Sequence, residues 1–139
     1  MMKRTGLLLT LTLTVGIALG VIGAQTVDAQ QEPMKRTMLL KTPLSGIEGK
    51  EGMLVRVEFA PGAVTGLHYH SGEELIYLLE GTVSMEVKGK QPMTLKAGDA
   101  LHLAPKQAHR IKNLSATTPA KALAFTIAGK DQPDTIPVK

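Results

Sequence analysis

Between residues 53 and 128, apolar and polar positions alternate with a period of two. In Val55-Arg56-Val57-Glu58-Phe59 the apolar side chains fall on every second position, which is the pattern of a strand that buries one face. Val83-Ser84-Met85-Glu86-Val87-Lys88 repeats it, and Leu123-Ala124-Phe125-Thr126-Ile127 does so with the small residues on the second face. Turn signals separate these runs at short spacing: Ala60-Pro61-Gly62, Ser71-Gly72, Glu80-Gly81, Lys88-Gly89-Lys90 and Ala97-Gly98-Asp99. Short strands joined in this way predict an all-β antiparallel sandwich or barrel. From residue 30 onward no stretch keeps a 3.6-residue apolar period for three turns, so no long helix is expected. The glycines at 62, 66, 72, 81, 89 and 98 are read as turn residues that tolerate positive φ.

The N-terminus follows a different rule. Lys3 and Arg4 precede a run without charge that lasts to Asp28, and Leu7 to Ile22 is made of Leu, Val, Ile, Ala, Gly and Thr. A basic start, an apolar segment and a small-residue ending predict a secretory signal over residues 1–29. Cleavage is expected after Ala29, in Val27-Asp28-Ala29, with Ala24 as a second site, and a retained membrane anchor is the alternative reading. The mature chain is thus expected to be exported, periplasmic or secreted. It divides into an N-terminal strand or arm over 30–52, a barrel over 53–128 and a loosely ordered tail over 129–139, where Pro133 and Pro137 interrupt isolated apolar residues. Within the arm, Lys35 to Lys41 has polar ends and an apolar centre, which suits an edge strand that needs cover.

Composition narrows the function classes. A chain of 139 residues, 43% hydrophobic and 20% charged, has the make-up of one folded domain. It has no cysteine, which excludes disulfides, thiolate metal sites and a cysteine nucleophile. The net charge of +4 comes from scattered basic residues, so nucleic acid is not the implied partner. Phe59, Tyr69, Tyr77 and Phe125 are the aromatics, too few for a base-stacking platform.

Candidate chemistry gathers around the histidines. His68 and His70 stand two apart, so on a strand both imidazoles leave the same face, within reach of one ion. After the Ser71-Gly72 turn come Glu73 and Glu74, then Leu75 to Leu79, expected to return antiparallel beside the His strand and to bring one of the two acids to that ion. His109 follows a Gly-Asp turn and Pro105 and starts a strand through Ile111. Three imidazoles and a carboxylate inside a small barrel suit Mn, Fe, Co, Ni, Cu or Zn. Such a site requires deprotonated histidines, so binding is expected to weaken as pH falls through the region near 6.5 where imidazole titrates. His102 lies between Leu101 and Leu103; with those two turned inward, it sits on the sheet surface. Contact with the site or its ligand is the alternative.

These residues resemble the cupin superfamily, in particular its small single-domain, type-2 members. The first cupin motif, G-x5-H-x-H-x3-E-x6-G, is matched at each interval by Gly62, His68, His70, Glu74 and Gly81. The second, G-x5-P-x-G-x2-H-x3-N, is matched by Gly98, His109 and Asn113, while Ala104 and Lys106 stand at its inner Pro and Gly positions. The turn before His109 is therefore expected to differ in shape. The resemblance spans about residues 53–127. It implies a jelly-roll barrel and a 3-His, 1-Glu metal centre formed by His68, His70, Glu74 and His109. The x3 spacing selects Glu74 and leaves Glu73 as a solvated turn residue. The resemblance also implies a homodimer that pairs through the N-terminal strands.

Four protein ligands on a six-coordinate ion leave up to two positions for water, dioxygen or a chelating substrate, open to Lewis-acid or oxygenation chemistry. No Ser-His-Asp set or second His pair supplies a separate base. Ile76, Leu78, Val83, Met85 and Leu101 are the apolar residues expected around a small, partly apolar ligand. The favoured function is an exported metal-dependent oxygenase or isomerase acting on a small molecule. The alternative is a non-catalytic module that binds metal or a small ligand.

Overall fold

The computed structural model describes residues 33–139; the segment read as a signal lies outside them. Ten strands form in chain order: β1 (Met34–Pro43), β2 (Lys50–Phe59), β3 (His68–Tyr69), β4 (Glu73–Glu80), β5 (Thr82–Val87), β6 (Met93–Lys96), β7 (Ala100–Leu103), β8 (His109–Asn113), β9 (Ala120–Gly129) and β10 (Ile136–Pro137). They make two five-stranded sheets, in the orders β1-β2-β9-β4-β7 and β10-β3-β8-β5-β6. Every ladder is antiparallel, and no helix occurs among the described residues. This is the expected all-β jelly roll.

The core lies between the sheets. Val55, Val57 and Phe59 of β2 and Ile76 and Leu78 of β4 meet Val83, Met85 and Val87 of β5, with Leu95, Leu103 and Ile111 completing the packing. Each such side chain contributes about 1.5–3 kcal/mol through removal from water. Period-two alternation decides which residues enter: Arg56 and Glu58, between the buried residues of β2, pair with each other at 3.2 Å on the outer face.

β9 reverses the phase read from its sequence. Ala122, Ala124, Thr126 and Ala128 point inward and are buried, while Leu123, Phe125 and Ile127 turn outward and remain half-buried. Ala122 and Ala124 border an internal cavity, and larger side chains there would fill it. The outward residues join Leu54 and the exposed Leu75 and Tyr77, so the first sheet is apolar on both faces. Gly52 is the seat of the outer cluster: a Cβ there would meet the Phe125 ring at 3.0 Å and Leu44 at 3.2 Å.

Two further expectations are corrected. β4 does not return beside the His strand; it pairs with β7 and β9 in the opposite sheet. The chain changes sheets at Ser71-Gly72. A Cβ on Gly72 would stand 1.8 Å from the Ile127 carbonyl oxygen, so glycine serves close backbone approach there, and not a positive φ. The tail is also ordered where a loose end was expected. The Asp131 amide donates to Glu51 Oε1 at 2.9 Å, and β10 pairs with β3 in the register Ile136↔Tyr69 and Pro137↔His68. Proline is tolerated because β10 is an edge strand.

Candidate metal centre

His68 and His109 are direct register partners across the β3–β8 ladder, with ring centroids 4.4 Å apart. His70 follows β3 and enters from the same side, and Glu74 arrives from β4 in the facing sheet. His70, His109 and Glu74 are buried and His68 is half-buried. One ligand atom from each histidine lies within 4.8 Å of those of the other two. Glu74 Oε2 is 3.0 Å from His70 Nε2 and 3.5 Å from His109 Nε2. Strand alternation sends neighbouring Glu73 to the outside, where it meets His102 Nε2 at 2.5 Å with both side chains exposed.

All three imidazoles are oriented through Nδ1. His68 Nδ1 lies 2.8 Å from the Gly66 carbonyl, His109 Nδ1 2.9 Å from that of Gln107 and His70 Nδ1 2.5 Å from that of Asp134. A carbonyl accepts only, so each Nδ1 carries a proton; at His68 and His109 the Nε2 lone pair is left for an ion, while at His70 an ion would have to displace the proton that Nε2 shares with Glu74. His109 Nε2 is buried without a hydrogen-bond partner, and the buried His70 Nε2 and Glu74 Oε2 have only each other, joined when a proton sits between them. Orphaned buried donors and acceptors are costly and rare. A divalent cation with N/O preference fits this set and would satisfy all three atoms.

Electrostatics separates the histidines. Burial lowers the pKa of His68 and of His109, the hydrogen bonds to Gly66 and Gln107 offsetting only part of the effect. Burial acts the same way on His70, but the Asp134 and Glu74 carboxylates outweigh it and push His70 up to about 10. Asp134 is in turn held well below the usual carboxylate range; burial works against this, and His70 and Arg36 overcome it. Proton competition for the site therefore reaches well above the region near 6.5 expected from imidazole alone.

The motif glycines set the turns that deliver these residues: Gly62, Gly81 and Gly98 have φ of 68°, 87° and 95°. Lys106, at the motif's inner glycine position, adopts φ 63° itself. The turn thus places a side chain in the left-handed region that glycine favours, and the Lys106 amide donates to the His70 carbonyl at 2.8 Å. Asn113 is buried and structural. Its Nδ2 donates to the carbonyls of Phe59, Ala60 and Thr118, and its Oδ1 accepts from the Ser115 amide.

A cavity of about 220 Å³ opens beside the histidines, walled by Met34, Phe59, Ile76 and Ile111, with Arg36 and Thr135 also in its lining. Of the five apolar residues expected around a ligand, Ile76 alone lines it. Leu78, Val83 and Met85 sit deeper in the core and Leu101 is half-buried. Arg36 and Asp134 were not singled out from sequence. Arg36 Nη2 pairs with Asp134 Oδ2, a contact between two chain ends that carries no local signal.

The Cupin domain family profile matches residues 55–126. The oxalate-binding protein of Thermotoga maritima is 33% identical over 72 residues, covering 51% of this chain; the chain spans 59% of that relative's length. A solved cupin-like protein from the same organism superposes with a TM-score of 0.61 at 21% identity, over 76% of this chain and 75% of that one. An oxalate oxidase in complex with glycolate superposes with a TM-score of 0.63 at 19% identity, over 79% of this chain and 57% of that one. At these identities the solved structures speak to the fold, and the profile match over half of the sequence settles the family: the chain belongs to the cupins.

Proposed function

We propose that the protein is an exported metal-dependent enzyme, an oxygenase or isomerase of a small molecule, whose centre is formed by His68, His70, Glu74 and His109. The observation that carries this reading is the convergence of three imidazole ligand atoms within 4.8 Å of one another, with the buried Glu74 carboxylate beside them, at the wall of a largely apolar cavity. Mn, Fe, Co, Ni, Cu or Zn bound there would supply Lewis-acid or oxygen-activating chemistry. The chain's own part is orientation, through three Nδ1–carbonyl hydrogen bonds, and exclusion of water by the apolar wall. Glu74 is the carboxylate in the cavity lining and serves as proton acceptor for the bound molecule.

A non-catalytic binder is the second reading, favoured by the similarity to the Thermotoga relative, an oxalate-binding protein. The experiment that separates the two is elemental analysis of the purified protein, followed by turnover and oxygen-uptake assays with phenols, diketones, thiols and small carboxylates. Glu74→Gln keeps shape and a weak oxygen donor. An enzyme loses turnover with it while retaining much of its metal; a binder shows altered affinity and no catalytic step to lose. Wild-type protein that takes up no divalent first-row ion and is indifferent to loss of His68, His70 and His109 together ends the metal-centre reading and leaves only a metal-free small-ligand binder. Export is tested by intact mass, which places the mature N-terminus at Gln30 after cleavage.

Pairing into a homodimer belongs to the same reading. β1 forms the edge of its sheet with Met38, Leu39 and Leu40 exposed, and the adjoining outer face presents Leu75, Tyr77 and Phe125. Charges of both signs rim that face, in the Arg56–Glu58 and Lys121–Glu80 pairs. An apolar patch with a rim of both signs is self-complementary under a two-fold axis. A second copy covers it and the open edge together.

A further inference from the structure

Resting on the metal-centre reading above, we infer that Asp134 and Arg36 are a positioning pair for His70, and that the C-terminal segment is a strap that completes the site.

His70 differs from the other two histidines in where its orientation comes from. The acceptors for His68 and His109 are carbonyls two residues away, inside their own turns. The acceptor for His70 is Asp134, 64 residues distant in sequence. Local folding of the His-x-His segment therefore fixes one imidazole of that segment and leaves the other free to rotate until the tail has docked.

The strap is held at several points. The Lys130 amide donates to the Gly49 carbonyl at 2.8 Å, and the Val138 amide to that of Leu67 at 3.0 Å. Between them Arg36, from the edge strand of the facing sheet, pairs with Asp134 Oδ2 and donates from Nη1 to Thr135 Oγ1 at 2.9 Å. The second carboxylate oxygen, Asp134 Oδ1, is buried, has no hydrogen-bond partner and stands 3.7 Å from His70 Nδ1. The guanidinium thus fixes the carboxylate, and the carboxylate with its own main-chain carbonyl backs the imidazole edge opposite Nε2. The carbonyl, hydrogen-bonded to Nδ1, aims the ring, and the carboxylate at 3.7 Å adds negative charge that strengthens the imidazole as a donor. Asp134 meets His70 at Nδ1, the edge away from Nε2, and Arg36 reaches it through Asp134. Both act through His70.

The test measures Co²⁺ affinity of the full chain by competition with a chelator, together with the visible absorption of the bound ion. Asp134→Asn, which removes the charge beside Nδ1 but keeps the main-chain acceptor, and Arg36→Ala, which frees the segment, are each expected to weaken binding up to about 10-fold, the lower end of the range for lost outer partners. The double variant is expected to be no worse than the poorer single one, and Arg36→Lys to recover part of the loss. Lys121→Ala is the structural control, because it removes a surface ion pair, to Glu80, without touching the tail or His70; it should leave affinity and spectrum at wild type. Unchanged affinity and spectrum in both Asp134→Asn and Arg36→Ala, or an equal loss in Lys121→Ala, overturns the inference. A readout independent of metal keeps the two readings apart: the His70 Nδ1 proton, seen by NMR, should be protected from exchange in wild type and lose protection in Arg36→Ala. Wild type that binds no metal defeats the metal centre, and the strap then stands or falls on that proton.

Discussion

Glu74 Oε2 stands 3.0 Å from His70 Nε2, so a metal ion and a proton contend for one nitrogen. Asp134 adds a second carboxylate on the far edge of the same ring. Between about 6.5, the ordinary imidazole value, and about 10, folded metal-free protein holds a proton on His70 that the unfolded chain lacks. That contribution to stability is complete below 6.5 and is lost as pH rises through about 10. His68 and His109 have the opposite sign: lowered by burial, they stay neutral while the unfolded chain takes up protons below 6.5, so stability falls as pH falls. Urea unfolding of chelator-treated protein is expected to show a crest near pH 6.5. Metal uptake at about pH 8 is expected to release close to one proton, seen as acidification of a weakly buffered titration. Proton-neutral uptake at that pH would contradict the assignment of the charge to His70.

The chain's two phenylalanines occupy opposite faces of one sheet and should fail in different ways. Phe59, 2% exposed, lies in the core, and Phe59→Ala is expected to cost about 3–5 kcal/mol in urea unfolding. Phe125 sits over Gly52 on the outer face. Phe125→Ala combined with Tyr77→Ala is expected to move sedimentation from dimer to monomer with a much smaller loss of intrinsic stability. Equal sedimentation of wild type and this double variant would show that the outer apolar face is not the pairing surface.

Lys106 holds a left-handed conformation that costs a non-glycine residue roughly 1–2 kcal/mol. Glycine relieves that strain and adds entropy to the unfolded chain. Lys106→Gly is expected to raise unfolding stability by about 0.5–1 kcal/mol while leaving metal affinity unchanged, since the amide that meets the His70 carbonyl is retained. A loss of stability would mean that the lysine side chain has a role of its own.

How far the sequence could be read depends on where each contact lies. β2 and β5 were legible because one face is apolar and the other polar, so period two names the buried side. β9 misled because its large residues face outward and its alanines line the cavity; alternation was present, but size ceased to report burial. The pairing of β4 was misread because a turn of two residues, Ser71 and Gly72, suggests a hairpin, whereas the chain there steps from one sheet to the other past the Ile127 carbonyl. The tail escaped altogether. β10 is two residues long, and what fixes it, Arg36 on Asp134 and β3 beside Ile136, comes from distant parts of the chain.

The donors of the candidate centre come from both sheets, with His68 and His109 on one and Glu74 on the other. No single hairpin holds them all, so the centre is assembled by closure of the barrel and dissolves with it. Affinity for an ion is then also folding free energy: free ion at a hundred times its dissociation constant would favour the closed barrel by about 2.7 kcal/mol. The ion would act as a removable cross-link between the two sheets, and its free concentration would bias how much of the population is native.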